Sequence, residues 1–214
     1  MKPKMIRVYH FLSTKNALDD LAHRRMKISE IDKLNDPFEL WCVAQSDPRL
    51  RAGLSRYKAQ MSRRFGMVCF CREWHNPVLW SHYADKHAGM CLGFDIPSNA
   101  TRAVKYTYRR SDLRRPLTTG TASELLYTKY RDWRYERELR SWFALKERDP
   151  VSGFYFYDFD EHVRLREVIV GPLCKVAKGK LLTALDRYQT SVRIVKARLA
   201  FKTFQVVQDR RGFR

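Results

Sequence analysis

The sequence predicts an α+β protein whose mixed or antiparallel sheets are flanked by helices. Hydrophobic residues make up 44% of the 214 residues, which is enough to build a core. Short segments rich in β-branched and aromatic residues alternate irregularly with helix-periodic segments, a pattern that argues against a doubly wound parallel sheet. The chain contains no internal repeat and no linker long enough to divide it, so we expect a single domain over residues 1–214.

The chain begins with a predicted strand, Ile6–Leu12, in which β-branched and aromatic residues dominate. Ser13 and Thr14 are good N-cap residues, and the residues after them place alanines and leucines on one helical face. The stretch 27–29 is short and fits either a strand or a turn. The Asn-Asp-Pro sequence at 35–37 predicts a turn, because asparagine and aspartate favour turns and proline extends the residue before it.

A basic helix is predicted over residues 47–66, where apolar residues recur at spacings of three and four. An Asp-Pro pair begins this helix, and Gly66 is expected to end it. Residues 67–71 are a short apolar run without helical length, so they predict a buried strand.

A short helix is predicted from Pro77 to His87, since proline is favoured in the first helical turn and Gly89 follows as a stop. The segments 90–96 and 103–108 come next, and both are rich in strand-forming residues. A turn-forming connection separates them, so we expect the two segments to pair as a β-hairpin.

The second half of the chain opens with a basic stretch at residues 109–121, which is rich in turn-forming residues and predicts a mobile loop. The later elements have clearer patterns. They are a helix over 122–133, a buried strand over 167–174, a helix after Gly179, and closing strands over 192–201 and 204–208.

The segment WRYERELRSWF at residues 133–143 fits two structures equally well. As a strand, it would project Glu136 and Glu138 side by side between arginines. Such a carboxylate pair can bind a ribose hydroxyl and stabilise or deprotonate a reacting group. As a helix, the same glutamates would form i,i+4 ion pairs with Arg134 and Arg140. Pattern alone does not decide between the two.

Charge is the strongest global feature, with 42 Lys and Arg against 23 Asp and Glu, a net charge of +19. A field of this size attracts polyanions, and the arginines are spread along the chain, so a basic face that binds nucleic acid or another polyanion is expected. The candidate contacts in the 109–121 loop are Arg109, Arg110, Arg114 and Arg115. The oligomeric state has no sequence signal.

The cellular setting is predicted from three absences in the sequence. No run of 18 apolar residues exists, so we expect no membrane span. The amino terminus has charge without an apolar signal region, which predicts a cytoplasmic protein. Five cysteines form an odd, irregularly spaced set, so reduced thiols are expected rather than a disulfide framework.

Metal ligands crowd one region, but their spacing is wrong for zinc. The potential ligands are Cys69, Cys71, His75, His82, His87 and Cys91. Zinc sites use C-x2-4-C and H-x3-5-H pairs, whereas these cysteines are C-x-C and the last one lies in an ordinary predicted strand. His82 and His87 are five apart, which is too far round a helix for them to share one face well. We therefore expect no metal here. Phosphate-binding glycine motifs and the G-x-S-x-G nucleophile motif are also missing.

Several motifs, in order, resemble a widespread bacterial family known as domain of unknown function 2971. They are NDPFE at 35–39, CF at 69–70, WSHYADKHAGMCLGFD at 80–95 and WRYERELR at 133–140. The similarity covers most of the chain, and the W-x-HYA-x-x-H-x-G-x-C motif is its most specific part. The resemblance implies that the 80–95 stretch surrounds a site, but the family label carries no chemistry.

The opening YHFLSTKNALDDLAHRRMKIS resembles that of His-Tyr-Glu ADP-ribosyltransferases, in which a strand bearing histidine leads into a Ser/Thr turn and a helix. His10 matches the first-strand histidine, Tyr83 is a candidate for the central tyrosine, and Glu136-Arg137-Glu138 matches the Glu-x-Glu motif. The resemblance implies that His10 binds the NAD ribose, that Tyr83 stacks on nicotinamide, and that Glu138 stabilises the oxocarbenium-like charge as nicotinamide leaves, with Glu136 beside it.

Two further residues are candidates for the NAD pocket. Tyr83 and His87 lie four residues apart on the predicted helix, so they would line a pocket together or simply pack. Trp80 is the other further candidate, and core packing is the simpler role for it.

The leading hypothesis is an ADP-ribosyltransferase-like enzyme that uses NAD to modify a polyanion, most naturally nucleic acid. One alternative is a non-catalytic nucleic-acid-binding module in which arginines contact phosphates and aromatic rings stack on bases. The other is a nuclease that holds magnesium with Glu39, Glu136 and Glu138. For the NDPFE turn, Asn35 and Asp36 are turn formers by default, and only Glu39 invites a functional role.

Overall fold

The computed structural model describes residues 3–39, 42–44, 46–110, 124–188 and 192–213. It has the predicted α+β architecture, with antiparallel sheets and flanking helices. The chain divides into two compact units that are built from interleaved segments. Unit 1 comprises residues 1–26, 70–99 and 157–214, and unit 2 comprises residues 27–69 and 100–156.

The regular elements follow the chain order. The strands among the described residues are β1 (Met5–Leu12), β2 (Arg25–Glu30), β3 (Phe65–Phe70), β4 (Met90–Pro97), β5 (Arg102–Ala103), β6 (Lys105–Thr107), β7 (Thr128–Tyr130), β8 (Leu139–Ala144), β9 (Tyr155–Asp158), β10 (Arg164–Val170), β11 (Arg193–Leu199) and β12 (Val206–Gln208). The α-helices are α1 (Thr14–His23), α2 (Pro48–Arg64), α3 (Pro77–Tyr83) and α4 (Lys178–Leu185), and 3-10 helices cover Ile31–Lys33 and Arg131–Glu136.

Unit 1 is built on a five-stranded sheet in the order β1-β4-β10-β11-β12. β4 is its most buried strand and pairs antiparallel with both β1 and β10. β10 and β11 are parallel, which requires a crossover connection, and α4 lies in that connection. The side chain of Ser13 caps α1 by accepting a hydrogen bond from the backbone N–H of Asn16, as its sequence position predicts.

Unit 2 is built on a second sheet in the order β5-β8-β3-β2-β9, beside a separate parallel pair formed by β6 and β7. Asp47 caps α2, and Pro48 occupies its first turn. Ile31 and Met67 are the fully buried centre of one apolar cluster, while Val43 and Leu54 belong to another.

Two predicted helix ends are wrong. α2 ends at Arg64, and Gly66 lies inside β3. A Cβ at Gly66 would be 2.5 Å from Ile28 Cγ2 and 2.7 Å from the Ser29 carbonyl oxygen, both on the neighbouring strand β2. Glycine is therefore needed for close strand approach rather than for a helix stop. α3 ends at Tyr83 instead of His87.

The predicted hairpin between segments 90–96 and 103–108 is wrong. β4 pairs with β1 and β10, whereas β5 pairs with β8 and β6 pairs with β7. Both segments are strands, but the chain passes from unit 1 to unit 2 between them, and each strand finds partners that are distant in sequence.

The predicted helix over 122–133 is correct in its described part only at Glu124 and Leu125, which are helical. Thr128–Tyr130 is strand β7, and Arg131–Glu136 is a 3-10 helix. The short range 27–29 lies within strand β2. Within the part of the chain that the structure describes, no helix is both long and apolar enough to cross a bilayer.

Candidate functional site

Five charged side chains are buried together in unit 2, and we call them the ionic cluster. The members are Glu39, Lys129, Glu136, Glu138 and Arg140. Each is at most 6% exposed, although charged residues are almost never this buried unless they are paired. Three carboxylates and two cations therefore share a space from which water is largely excluded.

Arg140 joins two carboxylates with one guanidinium. Its Nη1 and Nη2 atoms donate to Oε1 and Oε2 of Glu39 at 2.6 and 2.9 Å, a bidentate geometry. Its Nε atom donates to Oε1 of Glu138 at 2.8 Å, and Nη1 also donates to the carbonyl oxygen of Leu126 at 2.7 Å. A planar fork with several donors is needed for this arrangement, which a lysine could not reproduce.

Lys129 joins the other pair of carboxylates. Its Nζ atom lies 2.6 Å from Oε2 of Glu136 and 3.2 Å from Oε2 of Glu138. The same ammonium lies 4.8 Å from the centre of the Trp133 ring. Glu138 is thus held between both cations of the ionic cluster.

The backbone between the two glutamates explains how both reach one lysine. The segment 133–143 is neither a helix nor a strand throughout. A 3-10 helix ends at Glu136, Arg137 takes a left-handed conformation with φ of 46°, and β8 then begins at Leu139. The backbone N–H of Glu138 donates to the hydroxyl of Tyr106 at 2.8 Å, which fixes the backbone from which the Glu138 side chain extends.

Electrostatics keep Glu138 ionised. Burial alone would raise its pKa, but the charges of Arg140 and Lys129 outweigh burial and lower the pKa from 4.5 to about 2. Burial would lower the pKa of Lys129, yet Glu138 and Glu136 raise it above its usual range. Burial raises the pKa of Glu39 despite its contact with Arg140. Glu39 therefore takes up a proton more readily than an exposed glutamate does, chiefly because it is buried.

A thiol borders this cluster. Burial, followed by the charge of Glu138, raises the pKa of Cys69 well above its ordinary value. A thiol with a raised pKa is a poor nucleophile at neutral pH. All five cysteines of the chain are free thiols.

The three glutamates of the nuclease hypothesis do meet in this cluster, but cations separate them. Arg140 stands between Glu39 and Glu138, and Lys129 stands between Glu136 and Glu138. Among the described residues, no group of three or more His, Cys, Asp or Glu side chains is arranged to hold a metal ion. Magnesium would have to displace an ammonium or a guanidinium.

Exposed aromatic rings and arginines lie on the surface of unit 2, and we call them the arginine–aromatic surface. Its members are Phe38, Tyr108, Arg109, Arg110, Tyr130 and Arg131. Arg110 Cζ lies 4.9 Å from the centre of the Phe38 ring, and Arg131 Cζ lies 4.1 Å from that of Tyr108. Phe38 is 50% exposed and Tyr108 is 59% exposed, which is unusual for rings of this size.

The ionic cluster and the arginine–aromatic surface are neighbours in sequence. Phe38 immediately precedes Glu39, and Tyr130 immediately follows Lys129. The turn before them is fixed by Asp36, whose side chain accepts a hydrogen bond from the backbone N–H of Phe38 at 2.8 Å. Anchoring the two buried charges therefore positions the two exposed rings.

The predicted basic contacts fall partly on this surface. Arg109 and Arg110 are exposed, and Arg110 lies against the Phe38 ring. Arg114 and Arg115 lie outside the described residues, as does most of the predicted 109–121 loop.

Trp80 is a core residue of unit 1. It is fully buried, its indole N–H donates to the carbonyl oxygen of Trp74 at 2.6 Å, and its ring meets Phe11 edge-on at 5.1 Å. His10, on β1, is half-buried and lies edge-on to Phe70 at 5.9 Å. Tyr83 is half-buried at the end of α3.

The predicted helical alignment of Tyr83 with His87 is wrong. The helix ends at Tyr83, and Asp85, Lys86 and His87 all have positive φ, so they form a left-handed turn. This turn is tied back to α3, because the His87 N–H donates to the carbonyl oxygen of Trp80 at 3.1 Å. Consecutive left-handed residues without glycine are strained, and they persist only where surrounding structure holds them.

His87 is held in a packed environment. Burial lowers its pKa, so the ring is neutral at pH 7. Its Nδ1 atom is buried and has no hydrogen-bond partner among the described residues. A Cβ at Gly171 would lie 2.4 Å from the His87 carbonyl oxygen, which shows how closely the backbone approaches this turn.

The residues of the proposed NAD site are placed as follows. His10, Trp80, Tyr83 and His87 belong to unit 1, whereas Glu136 and Glu138 belong to unit 2. Within unit 2, the structure brings Glu136 and Glu138 together on Lys129, but through the end of a 3-10 helix and a left-handed Arg137 and not through the strand that was one of the two interpretations of 133–143.

Sequence reasoning missed Lys129 and the aromatic part of the surface. Lys129 falls within the predicted helix over 122–133, and nothing local to it shows that it binds carboxylates seven and nine positions away. The exposed aromatics had a weak signal, because Tyr108 adjoins Arg109 and Tyr130 adjoins Arg131. Aromatic and arginine neighbours of this kind could have suggested a stacking surface.

No family model, curated protein or solved structure is significantly similar to this chain. The resemblances to domain of unknown function 2971 and to ADP-ribosyltransferases therefore stay predictions.

Proposed function

We propose that this protein binds nucleic acid in single-stranded form through the arginine–aromatic surface. The observation that carries the proposal is the stacking of Arg110 on Phe38 and of Arg131 on Tyr108 at exposed positions. Guanidinium planes and aromatic rings are the groups on which unpaired bases stack, and arginine also pairs with phosphate.

Charge supports the same function. The net charge of +19 attracts polyanions over the whole surface, while Arg109, Arg110 and Arg131 concentrate cations beside the exposed rings. Backbone contacts supply affinity, and the rings add stacking that tolerates any base. We therefore expect tight, salt-sensitive binding with weak sequence preference.

The ionic cluster has a structural part in this function. Glu39 and Lys129 anchor the segments that present Phe38 and Tyr130, and the two are linked because Arg140 binds both Glu39 and Glu138 while Lys129 binds Glu138. Buried ion pairs of this kind fix one geometry more than they add stability. A rigid platform lowers the entropy lost when a flexible strand is bound.

Fluorescence of an oligonucleotide with one adenine analogue tests the stacking directly. Phe38→Ala and Tyr108→Ala should each weaken binding by about 1–3 kcal/mol and restore the emission that ring stacking quenches. Phe154→Ala is the matched control, since Phe154 is another exposed ring of unit 2 with a cation, Lys27, against its face. Equal effects of all three substitutions, or none, would contradict the proposal.

An NAD-dependent ADP-ribosyltransferase activity is the second candidate, and one observation favours it. Glu138, which the resemblance assigns to catalysis, has a pKa of about 2 and is fully ionised at neutral pH. An ionised carboxylate in a dry site is what stabilises an oxocarbenium-like charge. Lys129 and Arg140 occupy that carboxylate, so NAD would have to bind beside them or displace one of them.

Nicotinamide release from NAD, with and without single-stranded DNA, distinguishes the candidates. A transferase releases nicotinamide in the wild type and loses that activity in Glu138→Gln. Glu39→Gln is the control, because it removes a carboxylate from the same cluster while leaving Glu138 in place. No release by a wild type that binds the oligonucleotide would eliminate the enzyme and leave the binding function.

A further inference from the structure

The hairpin of β11 and β12 in unit 1 ends in two fully displayed phenylalanines. Phe201 is 84% exposed and Phe204 is 99% exposed, the highest exposures of any described aromatic ring. The turn itself is regular, because the backbone N–H of Ala200 donates to the carbonyl oxygen of Gln205 at 2.9 Å. Rings that contribute nothing to the core of a well-formed hairpin call for a binding partner.

The base of this hairpin is firmly anchored. Val206 is fully buried, its N–H donates to the carbonyl oxygen of His75 at 2.9 Å, and its own carbonyl oxygen lies 2.8 Å from His75 Nδ1. Lys196 adds bonds to the carbonyl oxygens of Gly171 and Cys174. The exposed rings are therefore carried on a rigid support.

The hairpin carries basic residues and no acidic ones. The 22 residues from Arg187 to Gln208 include five lysines and arginines and no carboxylate. The next carboxylate, Asp209, caps its own turn by accepting a hydrogen bond from the backbone N–H of Arg211. The partner that fits this charge is an anion.

An open groove of about 590 Å³ runs along the hairpin, a volume in the range of small-ligand sites. Its lining mixes one ring with cations and hydrogen-bonding groups, and these include Phe201, Arg198, Lys202, Arg210, Thr203 and Gln208. Arg198 Cζ lies 4.3 Å from the centre of the Phe201 ring. Polar groups such as the Gln208 amide and the Thr203 hydroxyl suit the edge of a base rather than an acyl chain.

We infer that the β11–β12 hairpin is a second contact for single-stranded nucleic acid, in which Phe201 and Phe204 stack on unpaired bases. Arg198, Lys202 and Arg210 contact the phosphates next to those bases. The inference rests on the proposed function for the class of its partner, but it uses none of the residues of the arginine–aromatic surface.

Cross-linking and affinity together test this inference. A thymidine oligonucleotide carrying one bromouracil should form, under ultraviolet light, an adduct that mass spectrometry places on Phe201 or Phe204. Phe201→Ala and Phe204→Ala should each weaken oligonucleotide binding by about 5- to 150-fold, the range measured for one stacked base. Leu173→Ala and Leu182→Ala are controls, because they remove exposed apolar side chains elsewhere in unit 1.

The outcomes separate this inference from the proposed function. If only the hairpin substitutions are silent, the inference fails and the proposed function stands. If only Phe38→Ala and Tyr108→Ala are silent, the arginine–aromatic surface fails and the hairpin stands. If the hairpin substitutions abolish binding to phosphatidylserine vesicles but leave oligonucleotide binding unchanged, the hairpin is a membrane contact and the inference is overturned.

Discussion

Arg140 and Glu39 lie 101 positions apart in the chain, and their bidentate pair is a polar link across the interior of unit 2. Replacing Arg140 with lysine keeps the charge but removes the planar fork, which leaves a carboxylate buried without its partner. We expect a loss of about 3–5 kcal/mol in the free energy of unfolding, measured by urea denaturation.

Arg148→Lys provides the control for that substitution. Arg148 pairs with Glu30 through a side chain that is 51% exposed, so the same chemical change should lower the free energy of unfolding far less than Arg140→Lys does. Equal losses for Arg140→Lys and Arg148→Lys would show that the ionic cluster does not hold unit 2 together.

Glu138 predicts how stability responds to acid. Its pKa is lowered on folding from 4.5 to about 2, so the folded state binds its proton less readily than the unfolded state does. Its contribution to stability is complete above pH 4.5 and is lost as the pH falls toward 2, by an amount on the order of 3 kcal/mol. Urea denaturation at several pH values should therefore give a flatter acid limb for Glu138→Gln than for the wild type. Parallel curves would contradict the assigned pKa.

At the level of single residues, sequence reasoning found side chains with local signatures and missed those that act at a distance. Glu136 and Glu138 stood out because a Glu-x-Glu between arginines is recognisable in itself. Lys129 did not, because its burial depends on carboxylates that the fold brings to it. The Trp80 ring was expected to suit the core, and the structure places it there.

The left-handed turn after α3, formed by residues 85–87, lies within the 80–95 stretch that is dense in tryptophan, histidine and tyrosine. It requires glycine at position 89, where a Cβ would lie 2.2 Å from the carbonyl oxygen of Leu12 and 2.8 Å from that of Ala84. Neither backbone atom can move cheaply. Gly89→Ala should therefore lower the free energy of unfolding by about 3 kcal/mol.

Gly53 gives the opposite expectation. It lies within α2, and a Cβ there would meet nothing within 4 Å. Gly53→Ala should raise the free energy of unfolding by about 0.5–1 kcal/mol, since alanine favours the helix. Thermal denaturation of both glycine variants checks the pair, and a neutral Gly89→Ala would show that the turn adapts.

At the level of elements, periodicity located most strands and helices but not their partners. The capped helices α1 and α2 were predicted well, because N-cap residues act within one turn. Neither the strand nor the helix interpretation of the 133–143 segment is correct, since a left-handed Arg137 divides it into a 3-10 helix and a strand. Its charges are satisfied by tertiary contacts that no local period reveals.

At the level of the molecule, interleaving of the chain between two units set the limit of prediction. Adjacent segments in sequence usually pair, and this expectation produced the wrong hairpin between β4 and the strands after it. The irregular alternation of strand and helix segments was the more reliable guide to the fold class, because α+β architecture depends on which elements occur and not on how the strands pair.

The whole molecule also carries the central claim, that charge and exposed aromatic rings together make a surface for single-stranded nucleic acid. Salt dependence measures the charged contacts independently of sequence. The logarithm of the binding constant should fall linearly with the logarithm of salt concentration, with a slope of about −0.7 for each phosphate neutralised.

The most direct measurement is this salt titration, followed by fluorescence anisotropy with a thymidine oligonucleotide. It compares the wild type with two double variants, Arg109→Gln/Arg110→Gln and Arg56→Gln/Arg63→Gln. The last variant removes the same charge from exposed positions on α2. Only the first double variant should reduce the magnitude of the slope, by about 1.4, and weaken binding. Identical slopes for the two variants would contradict the proposed function, because binding would then depend on net charge and not on this surface.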